Sequence, residues 1–259
     1  MKKKFLLLLF ASLGLYSCKS NYTRIGDKNA NYIPYYLKVY EADSLYLLKN
    51  YESSYRILDS LFKKYEPANT DRDHEYGRYL MSCVAVNDTI NLKKKIAFSF
   101  KNYGSMQIPF DPIDNHIYLQ NIYKKDSIYF MKQRKKYLKK IDYGLINKLQ
   151  EMMKLDQTYN RQNSIENKKN DSINRVKLKD IIINNTYPNY HVVGYFDPEL
   201  NLHAQIEILL LHQYETTVFK YLPIIEEAVK KGKCSPLEYA FIYDKCILAN
   251  TSKKQKYNY

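Results

Sequence analysis

The sequence predicts an all-α fold, or one that is nearly so. Apolar side chains recur at steps of three and four residues through most of the chain, which is the spacing of a buried helix face. Almost no stretch alternates apolar and polar residues as a half-buried strand does, with residues 191–193 as the short exception. Pro67, Gly104 and Gly232 follow periodic stretches and end them. We therefore predict stacked, repeat-like helical hairpins followed by a helical C-terminal domain.

Residues 1–17 have the composition of a secretory signal. Three lysines at residues 2–4 precede an apolar run at residues 5–13, which is much shorter than the roughly 20 residues of a membrane-spanning helix. Leu15-Tyr16-Ser17-Cys18 follows, with Leu three residues before the cysteine and a small residue directly before it. This tetrapeptide resembles the lipobox of bacterial lipoproteins. The alternative is an ordinary cleaved signal followed by an unmodified cysteine.

The lipobox resemblance implies that Cys18 becomes the lipidated first residue of the mature protein. Its thiol would receive a diacylglyceryl group and its new amine a further acyl chain, and two or more chains anchor a protein stably. Lys19 follows, rather than the Asp that resembles an inner-membrane retention signal, so we expect an outer-membrane location. No acidic run follows Cys18, which favours the periplasmic leaflet.

The region predicted to contain repeat-like hairpins spans residues 35–125, after a lipidated tether at residues 18–34. Apolar residues between Leu45 and Tyr65 have helical spacing, and Lys49-Asn50 interrupts them, which indicates a helical hairpin. The segment around this break loosely resembles the second half of a tetratricopeptide repeat. A second helix pair is predicted at residues 75–86 and 89–103. Stacking of the two pairs would let each one bury its apolar face against its neighbour. Residues 104–112 then form a connector.

The helical domain predicted at residues 126–259 begins with a long helix pattern over residues 127–161. The mostly polar residues 162–172 are interpreted as a loop. The next predicted elements, in order, are a helix at 173–183, an extended excursion marked by Tyr187-Pro188 and Gly194, a buried helix at 202–211, an amphipathic helix at 218–231, and a last helix ending near Ala249. Ser235-Pro236-Leu237-Glu238 has the pattern of a capping box and predicts the start of that last helix.

The chain is basic, with a formal net charge of +14 that becomes +11 when the three signal lysines are subtracted. Export and the absence of a nucleic-acid-binding signature argue against nucleic acid as the partner. We interpret most of this charge as a solvated lysine-rich surface. The densest group could instead contact anionic lipid headgroups. Its members are Lys124, Lys125, Lys132, Arg134, Lys135, Lys136, Lys139 and Lys140.

The cysteines and histidines predict neither a metal nor a cofactor. With Cys18 lipidated, Cys83, Cys234 and Cys246 remain; Cys234 and Cys246 could form a disulfide or stay buried as free thiols. No Cys-x-x-Cys occurs, which argues against a redox or zinc site. His203 and Glu207 have the spacing of two metal ligands on one helix face, but no third ligand stands at a matching distance, so a surface contact is favoured.

Several motifs of the C-terminal half occur in a fixed order. They are Leu149 with Asp156-Gln157 and Arg161, then Pro188, Gly194 and a helix ending at His212, then Leu222-Pro223, Gly232 and Asp244, and finally Gln255-Lys256-Tyr257. Over residues 146–259 this order resembles an uncharacterised, mostly helical family of bacterial domains. Leu211 stands where the family has Gln, Lys245 where it has Arg, and Asn258-Tyr259 where Gly would follow. The family has no established activity to transfer.

The catalytic hypothesis places five polar residues in one pocket between helices: Asp156, His212, Asp244, Gln255 and Tyr257. A histidine that is oriented by a carboxylate can act as a general base. The alternative is structural: His212 ends a buried helix and hydrogen-bonds Asp244 or a backbone carbonyl, because buried polar groups require partners whether or not they catalyse. No nucleophile elbow, phosphate-binding glycine loop, His-Glu-x-x-His or calcium loop is present.

Two functions remain open at the level of sequence. The first is a membrane-anchored module of the cell envelope that presents its helices to another envelope protein. The second is a hydrolase-like enzyme that uses a His212/Asp244 polar cluster.

Overall fold

A computed structural model describes residues 22–70, 75–157, 164–185, 187–195 and 206–251. Within these ranges the regular structure is helical, and no strand occurs apart from one isolated bridge between Thr23 and Tyr65. The helices in chain order are α1 Ile33–Leu47, α2 Tyr51–Phe62, α3 Glu75–Ala85, α4 Leu92–Tyr103, α5 Ile113–Lys125, α6 Ser127–Leu138, α7 Tyr143–Asp156, α8 Ser164–Asn185, α9 Tyr190–Val193, α10 Ile206–Leu211, α11 Glu215–Val218, α12 Leu222–Lys230 and α13 Pro236–Thr251. The all-α prediction is confirmed.

The predicted first hairpin consists of α1 and α2. Lys49 adopts φ +62 at the reversal, and the Asn50 side chain caps α2 by accepting a hydrogen bond from Ser53 N at 3.2 Å. Helix α3 packs on both α1 and α2, and α4 then packs on α3 and α6. The second predicted pair is therefore also present, as α3 and α4.

Buried tyrosines form much of the core. Tyr32, Tyr35, Tyr103, Tyr137 and Tyr187 are among the largest side chains with almost no exposure. A buried phenol needs a hydrogen-bond partner, and the Tyr103 hydroxyl donates to Pro67 O at 3.1 Å. The core can therefore hold many tyrosines because their rings pack while their hydroxyls bond to backbone carbonyls or to buried carboxylates.

Residues 26–32 and helix α1 both contact the region predicted as the C-terminal domain. Tyr32 N donates to Lys230 O at 2.8 Å, and Gly26 N donates to Lys231 O at 2.9 Å. The Tyr36 hydroxyl donates to Cys234 O at 2.9 Å. The buried side chains of both regions belong to one continuous cluster. Every helix described here lies after residue 21, so a chain that starts at residue 19 contains the whole described fold.

Two of the predicted boundaries are wrong. The long helix at 127–161 is divided into α6 and α7 by residues 139–142, and the Asp142 side chain accepts from Leu145 N at 2.9 Å to start α7. The predicted loop at 162–172 is helical from Ser164 onward, as the first half of α8. This half faces α7 with asparagines: Asn170 Nδ2 donates to Leu155 O at 3.0 Å, and Asn174 Nδ2 donates to Met152 O at 3.1 Å. The spacing of apolar residues could not predict this part of α8, because asparagines occupy its buried positions.

The C-terminal region also departs from the prediction in detail. The amphipathic stretch 218–231 is interrupted after α11, and α12 begins at Leu222 with a proline in its first turn. The predicted excursion around Gly194 contains the short helix α9. The predicted capping box is confirmed, since Glu238 N donates to Ser235 Oγ at 3.0 Å, and Gly232 adopts φ +76.

The described residues contain no helix that is both long and apolar enough to cross a membrane. Cys83, Cys234 and Cys246 are buried free thiols. Of the two alternatives for Cys234 and Cys246, the structure therefore has the free thiols and not the disulfide.

Candidate functional site

The ends of two helices bring His212 and Asp156 into contact. Asp156 is the last residue of α7, and His212 directly follows α10, which packs on α7. The His212 Nδ1 and Asp156 Oδ2 atoms are 2.6 Å apart. The side chain of Asp156 is completely buried, whereas 29% of the His212 side chain is exposed. A buried carboxylate therefore orients an imidazole that solvent can reach.

Asp156 receives a second hydrogen bond from its own neighbour. Gln157 Nε2 donates to Asp156 Oδ2 at 2.6 Å. The ionised Asp156 carboxylate can only accept a hydrogen bond, so Nδ1 of His212 must donate one. A neutral His212 therefore has its proton on Nδ1 and a lone pair on Nε2. Among the described residues, Nε2 has no hydrogen-bond partner. This is the arrangement in which a histidine can take up a proton from a molecule that approaches from solvent.

Lys245 holds the backbone on both sides of the histidine. Its Nζ donates to Gln213 O at 2.6 Å and also to Leu211 O. Lys245 belongs to α13, which packs on α10 and α11. The carbonyls at the end of α10 have no partner within their own helix, so this ammonium satisfies them and fixes the position of His212.

Two further polar side chains, one stacked on Tyr214 and the other next to His212 in sequence, have hydrogen-bonding atoms without a partner among the described residues. The guanidinium of Arg175 in α8 stacks over the Tyr214 ring at 4.7 Å, and its buried Nε and Nη2 have no partner among the described residues. Gln213 is 2% exposed, and neither of its amide atoms has a partner within the same part of the chain. Buried polar groups are rarely left unpaired, so such atoms are typical of a place that water or a ligand completes.

The predicted site residues are only partly brought together by the described structure. The described hydrogen bond of His212 is to Asp156, not to Asp244, which is buried on α13 next to Lys245. Gln255, Tyr257, Cys18 and His203 lie outside the described residues. Their roles therefore stay predictions.

No family model, no curated protein and no solved structure matches the chain. The resemblance of residues 146–259 to an uncharacterised family therefore stays a prediction.

Two carboxylates, Glu238 and the Glu207 that the sequence pairs with His203, line a small cavity. The cavity holds about 50 Å³, and its lining includes Glu207, Glu238 and Ser235. Burial raises the pKa of Glu238 to about 8, and the Glu207 carboxylate contributes in the same direction. Tyr187 donates a hydrogen bond to Glu238. Sequence identified Glu238 only as a capping residue. Among the described residues, no group of three or more potential ligands could hold a metal ion.

Another buried carboxylate, Glu75, lies at the start of α3. Its Oε1 accepts a hydrogen bond from the Tyr35 hydroxyl at 2.6 Å and another from Asn69 N. Burial raises its pKa to about 7. No motif in the sequence marks this residue, because a glutamate at the first position of a helix is usually exposed near the helix dipole.

Proposed function

We propose that this protein is a lipoprotein of the bacterial cell envelope whose helical domain performs acid–base catalysis of hydrolysis at the His212–Asp156 pair. The observation that supports catalysis is the 2.6 Å contact between a fully buried carboxylate and a partly exposed imidazole. A structural histidine would need a partner too, but its ring would not need to be partly exposed to solvent. The lipid anchor at Cys18 and the outer-membrane location come from the sequence pattern.

The chemistry follows from the protonation of the imidazole. His212 Nε2 removes a proton from a water molecule, and the oxygen of that water forms a bond to the electrophilic atom of the substrate. Asp156 acts as a positioning residue: it orients the ring and stabilises the imidazolium that forms. The imidazolium then gives its proton to the leaving group as the scissile bond breaks. Water is the nucleophile, because no serine or cysteine in the described ranges bonds to His212.

Substitution of the pair tests the catalytic proposal. We expect a chain of residues 19–259 to hydrolyse a member of a panel of chromogenic carboxylic esters, phosphate esters and peptide amides. His212→Ala should lower kcat/KM by about 10²–10⁴-fold, because it removes the general base. Asp156→Asn should lower kcat and displace the pH profile while KM changes little.

His116→Ala is the matched control, since His116 Nδ1 contacts Pro109 O in the N-terminal half, and it should retain full activity. Turnover by His212→Ala at the wild-type rate, or no turnover of any substrate by the wild type, would refute the catalytic proposal. Thermal melts of the variants establish that each one is folded.

A second function, the presentation of helices to another envelope protein, is favoured by the outer face of α1. Leu37, Leu47 and Leu48 are 65%, 71% and 77% exposed, and Ile33 and Tyr40 lie on the same face. Exposed apolar stripes of this kind often mark protein interaction sites. The two functions differ in their response to one variant: His212→Ala leaves capture of a protein partner intact and removes hydrolysis.

The anchor has its own test. Cells that express the wild-type protein and are grown with labelled palmitate should contain labelled protein. Cys18→Ala should remain unlabelled, because the thiol that accepts the diacylglyceryl group is absent. Equal labelling of both proteins would exclude lipidation at Cys18.

A further inference from the structure

The described structure begins very close to the predicted anchor. Thr23 N donates to Lys64 O at 2.8 Å, and Glu66 N donates to Thr23 O at 2.8 Å, so Thr23 is fixed at the end of α2. Cys18 stands five residues before it (23 − 18). An extended chain spans at most about 3.6 Å per residue, so the end of α2 lies within about 18 Å of the lipidated residue. A lipid anchor at Cys18 therefore keeps this corner of the domain at the bilayer surface.

An open groove between α1 and α2 starts at this same corner. Its volume is about 310 Å³, and it is lined by Lys38, Arg56, Ile57, Ser60, Leu61 and Lys64. Lys64 both lines the groove and supplies the carbonyl that binds Thr23. Two aliphatic side chains and one hydroxyl lie between three cations, and no acidic residue is part of the lining.

The three cations are available to an anion. Lys38 pairs with Glu41 and Arg56 with Glu52, each at 2.6 Å, but all four side chains are about half exposed or more. Ion pairs of this kind contribute little and exchange partners readily. Lys64 has no acidic partner among the described residues. The groove thus has the composition that suits a phosphate flanked by hydrocarbon.

We propose that this groove binds the headgroup phosphates of anionic phospholipids in the membrane that holds the anchor. The proposal rests on lipidation of Cys18, which brings the groove to the bilayer. Lys38, Arg56 and Lys64 contact the phosphates, and Ile57 and Leu61 face the glycerol and upper acyl carbons. The lysine-rich group at residues 124–140 is the competing cationic surface, but none of the hydrogen bonds that fix residues 23–32 involves it.

Vesicle flotation tests the groove without the anchor. Unlipidated protein of residues 19–259 is mixed with vesicles of phosphatidylcholine alone or of an equimolar mixture with phosphatidylglycerol. We expect binding to the anionic vesicles only. Each cation near an anionic surface contributes roughly five-fold to binding, so the triple variant Lys38→Gln, Arg56→Gln, Lys64→Gln should bind on the order of 100-fold more weakly. The control removes three exposed lysines elsewhere, with Lys124→Gln, Lys125→Gln and Lys132→Gln, and should bind within a few-fold of wild type.

The outcomes separate the groove from the anchor. Unchanged binding by the groove variant, an equal loss in the control variant, or equal binding to both vesicle types would overturn the groove proposal even if palmitate labels Cys18. Absence of palmitate label would instead overturn the anchor, and the vesicle result would then describe an isolated anion-binding groove.

Discussion

Gly77→Ala should lower the free energy of unfolding by about 3–5 kcal/mol, which is at the upper end of the effect of single substitutions. A Cβ atom at Gly77 in α3 would lie 1.9 Å from Gln107 O and 3.0 Å from Ile108 Cα. Both contacts are with backbone, so no side chain can rotate to relieve them. The connector after α4 would have to move, and the hydrogen bonds from Ser99 Oγ to Ser105 O and Met106 O would be disrupted.

Gly144→Ala is the matched control for this substitution. A Cβ atom there would meet one side-chain atom, Asp142 Oδ1, at 3.3 Å. Alanine favours a helix interior over glycine by about 1 kcal/mol, and Gly144 lies in the first turn of α7, so the control should change the free energy of unfolding by less than about 1 kcal/mol. Urea denaturation of both variants measures the difference. Equal midpoints for Gly77→Ala and the wild type would show that the connector does not press on α3 in solution.

The parts of the fold that sequence predicted are those encoded locally. The α1–α2 hairpin, the pair α3 and α4, and the capping box at Ser235 each depend on apolar spacing or on a short cap pattern. The first half of α8 was missed because its buried positions hold Asn167, Asn170 and Asn174. Asn170 and Asn174 donate hydrogen bonds to backbone carbonyls of α7, a relation that exists only after the two helices have packed.

The candidate site shows the same limit. His212 and Asp156 were both named in the catalytic hypothesis, because both belong to the ordered polar motifs of the C-terminal half. Which carboxylate bonds to the histidine depends on how the ends of α7, α10 and α13 meet, and the described contact is with Asp156. The stabilising role of Lys245 could not be foreseen either, since it bonds to backbone carbonyls that no side-chain motif reports.

Glu75→Gln should make the protein more stable at pH 8 by roughly 3 kcal/mol, because one unit of pKa corresponds to about 1.4 kcal/mol. Burial raises the pKa of folded Glu75 from 4.5 to about 7, and the Asp43 carboxylate contributes in the same direction. Folded protein therefore binds more protons than unfolded protein between these values. The free energy of unfolding of the wild type falls as pH rises from about 4.5 to about 7 and stays low above that range.

Glutamine resembles protonated Glu75, since its Oε1 can still accept the hydrogen bonds from Tyr35 and Asn69. The variant and the wild type should therefore have similar stability at pH 4.5 and diverge as the pH rises. Glu52→Gln, which changes an exposed carboxylate, should follow the wild-type curve. Part of the pH dependence should persist in Glu75→Gln, because burial also raises the pKa of Glu238 to about 8. Parallel curves for Glu75→Gln and the wild type would mean that the folded protein supplies Glu75 with water or a cation that stabilises its charge.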